Sequence, residues 1–312
     1  LIPLHPRNLT VFDINVENDV SSQHMGITCM TAGIHLPQAG PAASGDALTK
    51  AAVLAEDLGY ADVWVSDHLV VPTGAQYPPS AYVYEPLTSL AWVAAATTRV
   101  GLGTTVLVLP MRNPIHVAKS VASIDLMSGG RFILGTAAGW LKAEFDAIGV
   151  PFEERGARTD EAIEIMRHVW THDHMTIDFP VHDIHMESIR AQPQPRRHIP
   201  IWIGGHADVA LRRAIAVGDG WHGAFLTPAE TQRRVEKLRA GRPENAFEIS
   251  MRTRWDPLED DNDIILAEID HYREIGVTHV VPEPRQRTLD GYLASTEAMA
   301  ELLRRAGVEM HP

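Results

Sequence analysis

The stretch Ala55-Glu56-Asp57-Leu58-Gly59-Tyr60-Ala61-Asp62-Val63-Trp64-Val65-Ser66-Asp67-His68 contains one junction of the fold's repeat. A helical segment ends in Gly59, which supplies the left-handed residue that closes a helix. A short buried strand, Val63-Trp64-Val65, follows, and a polar triplet ends it. The same order recurs where Ala214 to Gly218 precedes Gly220-Trp221 and where Tyr272 to Gly276 precedes the apolar run 277–281. Helix starts are marked as well: Asn113-Pro114 sets a capping side chain before a proline, and Val117, Val121 and Ile124 then share a face up to Gly129-Gly130. Glu85-Pro86 opens the preceding helix in the same way.

Working outward, strand signals fall at 27–35, 63–66, 100–107, 132–137, 200–203, 221–224, 248–253 and 277–281, with helical patterns between them. Eight strands in steady β/α alternation predict an α/β fold, a closed parallel (β/α)8 TIM barrel. A doubly wound open sheet is the competing arrangement. It calls for a glycine-rich turn after the first strand, where the chain instead reads Leu36-Pro37-Gln38-Ala39-Gly40-Pro41. Residues 171–198 break the pattern with scattered histidines and prolines, so they read as an insertion before the fifth strand. Residues 1–24 lack the pattern of a signal peptide and are set apart as an N-terminal extension or an expression-derived segment, leaving 25–312 as a single barrel domain.

Composition narrows the function. With 312 residues, 45% hydrophobic and 21% charged, the chain is neither disordered nor fibrous. Lysine and arginine number 27 against 40 acidic residues, a net charge of -13, which argues against a nucleic-acid surface. Cys29 stands alone, so there is no internal disulfide framework or cysteine-rich zinc site, which fits a cytoplasmic protein. No apolar run reaches the roughly 18 residues of a membrane span.

Barrel enzymes carry their chemistry at the C-terminal ends of the strands. The second strand delivers Ser66-Asp67-His68, an acid and an imidazole able to bind a polar ring edge and exchange a proton; a loop cap and a polar rim fit the same residues. The third reads Leu102-Gly103-Thr104-Thr105-Val106-Leu107, where the glycine signals a bulge, a close approach or plain strand packing. The fourth ends Ala137-Ala138-Gly139-Trp140, small residues beside an aromatic. The fifth ends Gly204-Gly205-His206 and opens a helix, a setting whose free N–H groups suit a phosphate. His35, Trp221, Arg252 and Arg254, at other strand ends, are candidates for a substrate pocket. His172 and His174 have a metallohydrolase spacing but follow a helix, and His-Glu-x-x-His, paired-cysteine, Gly-x-Ser-x-Gly and Walker motifs are absent, so no metal site is expected and a hydrolase is remote.

Several segments together resemble the bacterial luciferase-like monooxygenase superfamily, in particular its coenzyme F420-dependent oxidoreductase branch. They are 61–68, 99–109 with Arg112-Asn113-Pro114, 126–131, Gly139-Trp140 with Glu144-Phe145, 149–155, and 200–205, within a similarity running from Met25 to about Gly307. The resemblance implies a barrel that binds a deazaflavin or flavin at its strand ends, commonly as a homodimer. On that footing Asp67 and His68 would lie by the cofactor ring, Thr104, Thr105 and Val106 would form a bulge with a non-prolyl cis peptide at Thr105-Val106, Ala137, Ala138, Gly139 and Trp140 would flank the ring, and Gly204, Gly205 and His206 would hold the phosphate end. His68 would exchange the proton, with Asp67 orienting it or touching the cofactor. The implied activity is hydride transfer between F420 and a small organic substrate; a reduced-FMN monooxygenase or a non-catalytic cofactor-binding protein are the alternatives. The F420-dependent glucose-6-phosphate dehydrogenases carry a catalytic glutamate where this sequence has Trp140, which argues against that particular substrate. Specificity is expected from the loops 72–84 and 171–198.

Overall fold

The computed structural model describes residues 29–244 and 246–311; the expected extension 1–24 lies outside them. In chain order the elements are β1 (Thr31–His35), α1 (Gly45–Leu58), β2 (Asp62–Val65), α2 (Pro86–Ala96), β3 (Gly101–Thr104), β4 (Leu107–Val108), α3 (Pro114–Met127), β5 (Phe132–Ala137), α4 (Lys142–Ile148) and α5 (Arg155–Thr171). A hairpin of β6 (Met175–Phe179) and β7 (Ile184–Ile189) comes next. The chain then continues through β8 (Ile201–Gly204), α6 (Asp208–Val217), β9 (Gly220–Ala224), α7 (Pro228–Gly241), β10 (Glu248–Thr253), α8 (Asn262–Glu274), β11 (His279–Pro282) and α9 (Leu289–Arg305).

Neighbouring strands pair in parallel around a circle: β1 with β2, β2 with β3, β3 with β5, β5 with β8, then β8 through β11, and β11 back to β1. β4 continues β3 beyond Thr105-Val106, whose peptide bond is cis, and pairs with β5. The barrel is therefore closed and eight-stranded, as the alternation predicts, and the open sheet is excluded. Segment 171–198 contains the antiparallel β6–β7 hairpin, tied down where Glu161 of α5 accepts the backbone N–H groups of Val181 (3.0 Å) and His182 (2.7 Å).

Local signals act where they were read. Gly59 closes α1 with φ 87°, and the Asn113 side chain accepts the N–H groups of Ile115 and His116 at the start of α3. Alternation along each strand then sorts side chains between two cores. Val63 and Val65 face the helices with the main core, while Trp64, between them, points into the barrel against Trp202 and Val281. Gly103 is explained by that indole: a Cβ there would lie 2.4 Å from the Trp64 ring. Among the described residues no helix is long and apolar enough to cross a membrane.

Candidate active site

A cavity of about 740 Å³ opens at the C-terminal ends of the strands. On one side β2 runs out into Ser66-Asp67-His68. Opposite, Gly139 turns the chain away from β5 with φ 80°; a Cβ there would meet Val108 Cγ1 at 2.6 Å, so only glycine permits the turn. The turn leads into α4, whose first turn carries Glu144. Its buried Oε1 accepts the Leu69 N–H at 2.7 Å and lies 3.3 Å from His68 Nδ1. With a carboxylate on that nitrogen, His68 carries its proton on Nδ1 and turns Nε2 away from Glu144. Tyr77 and Trp140 stand edge-on to the imidazole at 6.2 and 6.4 Å, and Phe225 meets Tyr77 at 6.3 Å, making an aromatic rim.

Asp67 has a different set of partners. Its buried carboxylate accepts Arg112 Nη2 at 2.6 Å, the Val108 N–H at 2.9 Å and Arg112 Nε at 3.3 Å. Burial pushes its pKa above the ordinary carboxylate range, and Arg112 offsets that only in part. Lower down, the hydroxyl of Thr104 donates to Gly135 O at 2.7 Å. Arg252 donates to Thr105 O at 3.0 Å and Ser66 Oγ at 2.9 Å, and pairs with Glu283 at 3.0 Å. Burial works to raise the Glu283 pKa, but the Arg252 guanidinium holds its carboxyl below the ordinary range.

The far end of the cavity is made by Gly204, Gly205 and the start of α6. A Cβ on Gly204 would lie 2.8 Å from Val106 Cγ1, and Gly205 adopts φ 116°. No side chain caps the first turn of α6, and Ala207, Val209 and Ala210 border the cavity there with Arg155, the first residue of α5. Uncapped N–H groups at the positive end of a helix, with an arginine at hand and the approach kept open by glycine, form a receptive site for a phosphate. Burial lowers the His206 pKa, with the Arg234 charge adding to it. The residues present thus fit a ring cofactor with a phosphate tail.

Residues 24–306 match the family described as luciferase-like monooxygenase. The chain belongs to the luciferase-like monooxygenase family. It is 36% identical over 200 residues to an uncharacterized protein of Mycobacterium tuberculosis, covering 59% of this chain and 68% of that one. It is 34% identical over 175 residues to an F420-dependent glucose-6-phosphate dehydrogenase of Kineococcus radiotolerans, covering 54% of this chain and 50% of the relative. An F420-dependent secondary alcohol dehydrogenase, solved with an F420-acetone adduct, superposes with a TM-score of 0.74 at 20% identity over 90% of this chain and 99% of that chain. A monooxygenase of Streptomyces bottropensis also gives 0.74 at 20% identity, over 88% of this chain and 99% of that one. These solved structures bear on the fold.

Within this luciferase-like barrel, Asp67, His68, Thr105, Val106, Ala137, Ala138, Gly139, Trp140, Gly204, Gly205, His206 and Arg252 all border the one cavity. Five expectations need correction. Asp67 does not orient His68, because its oxygens are engaged by Arg112 and Val108; Glu144 takes that place. His35 is buried behind Ser66, with Nε2 2.8 Å from Ser66 Oγ, and is not among the cavity residues. Trp221 faces the helix layer, fully buried, and donates its indole N–H to Gly205 O at 2.8 Å. Thr104 lies beneath the floor rather than on it. Arg254 is exposed outside the lining, its guanidinium 4.4 Å from the Phe225 ring and 5.6 Å from that of Tyr77.

Sequence reading missed Glu144, Tyr77, Phe225, Arg155 and His222, all of which border the cavity. Strand alternation could have found His222, since its neighbour Trp221 must face the other way. Glu144 stands in one of the family-like segments, but nothing in its own turn assigns it a role. Among the described residues no cluster of histidine, cysteine and acidic side chains could hold a metal ion.

Proposed function

We propose that this luciferase-like family member is an F420-dependent oxidoreductase that moves a hydride between the deazaflavin and a small organic substrate. One observation carries the reading: a single cavity combines a phosphate-suited helix start with an imidazole-carboxylate pair at the ends of β2, β3, β5 and β8. The naming of curated relatives as F420-dependent dehydrogenases favours F420 over FMN, although the match spans only about half (50%) of the Kineococcus enzyme.

When bound, the cofactor supplies a ring carbon that accepts or gives the hydride. The chain supplies the rest. The Gly204-Gly205 turn, the start of α6 and Arg155 would hold the phosphate, and Thr105 and Val106 would line the ring's side of the cavity. Glu144 fixes His68 so that Nε2 takes the proton of a substrate hydroxyl, or returns one to a carbonyl. Trp140, Tyr77 and Phe225 exclude water and orient the substrate. With Trp140 in place of an acid and an aromatic rim, the substrate class is a small, largely apolar alcohol or carbonyl compound. A homodimer in the cytoplasm completes the reading; light scattering of the purified chain tests the dimer.

The deciding experiment titrates the protein with oxidised F420 and with FMN in parallel. Micromolar F420 binding with hydride exchange on a panel of alcohols, enones and imines is expected. Micromolar FMN binding without F420 binding would overturn the reading in favour of a monooxygenase. Tight F420 binding with no exchange on any panel member would leave a cofactor-binding protein.

A further inference from the structure

Beneath the cavity floor a continuous row of buried polar groups crosses the inside of the barrel. Thr105 Oγ1, at the floor, is 2.7 Å from His222 Nε2. His222 Nδ1 is 2.8 Å from Ser250 Oγ, and Ser250 Oγ is 2.7 Å from His279 Nδ1. His279 Nε2 is 3.0 Å from Asp62 Oδ1, and that same oxygen accepts the indole N–H of Trp64. Every member is buried, and the His222 ring lies flat on Trp64, with centroids 5.0 Å apart and planes 7° from parallel.

The end group sets the direction of the whole row. The Trp64 indole can only donate, so Asp62 Oδ1 is an acceptor, and His279 must donate to it from Nε2. With one proton on each ring, His279 accepts at Nδ1 from the Ser250 hydroxyl, leaving Ser250 Oγ to accept from His222 Nδ1–H. His222 Nε2 is left as an acceptor for the Thr105 hydroxyl. Burial above all, with the Arg252 charge adding to it, pushes the His222 pKa well below its ordinary value, in keeping with a neutral ring.

The geometry points to a one-way hydrogen-bond chain that locks Thr105 Oγ1 as an acceptor towards the cavity, with His222 as its positioning residue and Asp62 as the anchor about which the direction is set. The floor therefore selects a ring that presents an N–H or O–H donor to it and disfavours one that presents a lone pair. Asp62 and Trp64 lie in β2, His222 in β9, Ser250 in β10 and His279 in β11, and Thr105 directly follows β3, so the preference is built into barrel closure. The choice of ring as ligand rests on the function proposed above; the direction of the chain does not.

Nitrogen-15 spectra of the full chain labelled at histidine, at neutral pH, with the two signals assigned through His222→Gln and His279→Gln, test the direction. The expected result is His222 protonated only on Nδ1 and His279 only on Nε2. Ser250→Ala breaks the chain in the middle; a mixture of His222 tautomers and about 3- to 10-fold weaker binding of oxidised F420 are expected. A His222 carrying its proton on Nε2 in the parent protein overturns the inference, and so does an unchanged tautomer in Ser250→Ala. Should Ser250→Ala fail to fold, the parent spectrum decides alone. The tautomers are read without any cofactor, so a failure to bind F420 sinks the proposed function and leaves this inference to be judged on the spectra.

Discussion

At the rim of the cavity His68 has one ring nitrogen held by Glu144 at 3.3 Å and the other without a protein partner among the described residues; at the floor both nitrogens of His222 are engaged, by Thr105 at 2.7 Å and Ser250 at 2.8 Å. The rim is built from loops and the short helix α4, the floor from strands locked into the closed sheet. A group with unused hydrogen-bonding capacity beside open space can act on a substrate. A fully partnered one inside a packed barrel can only hold its neighbours in place. Asp67 belongs with the floor by this criterion, although it adjoins His68 in sequence.

The largest effects test that division. His68→Ala should lower kcat by about 10²- to 10⁴-fold with little change in melting temperature, as removal of a general acid or base does; steady-state kinetics with the substrate found by the panel checks it, and retention of full turnover would place His68 among the spectators. Asp67→Ala should do the opposite. It leaves Arg112 with Glu85 alone, at 3.0 Å, and the buried Val108 N–H without its acceptor, a loss of about 3 kcal/mol readable by urea denaturation.

A smaller effect separates the interior from the rim by pH. Burial lowers the His35 pKa to about 3, with the Arg252 charge contributing. In the unfolded chain the group titrates near 6.5. Between these values the unfolded state binds the extra proton, so stability contributed by His35 is complete above about pH 6.5 and is lost as the pH falls towards 3. Unfolding free energy should therefore drop between pH 7 and pH 5, and His35→Gln should remove about 2 kcal/mol of that drop. Equal pH dependence in parent and variant would count against the buried, neutral imidazole. The mildest change is Glu144→Gln, which keeps an acceptor for the Leu69 N–H but loses the charge facing His68; about a tenfold fall in kcat with unchanged F420 affinity is expected.

The strand ends were legible because each is a local feature. Gly204-Gly205 before a helix and Gly139 beside Trp140 show their purpose within a few residues, and both border the cavity. Trp221 was placed on the wrong side for a reason equally local: an aromatic at a strand end attracts notice, but alternation assigns the cavity side to His222 and the helix side to Trp221. Glu144 escaped because its partner lies 76 residues away and nothing in its own turn distinguishes it from an exposed helical acid.

What the sequence by itself determined is the succession of elements: helix caps, glycine stops and period-two strands, repeated until eight strands had to close into a barrel. Those signals act over a turn or a strand, and they survive in any single stretch of chain. Which polar groups meet was decided only by closure, which brings Thr105 to His222 across 117 residues and Asp62 to His279 across 217. A buried donor must find an acceptor wherever the packed barrel puts one, and that position is a property of all the strands together.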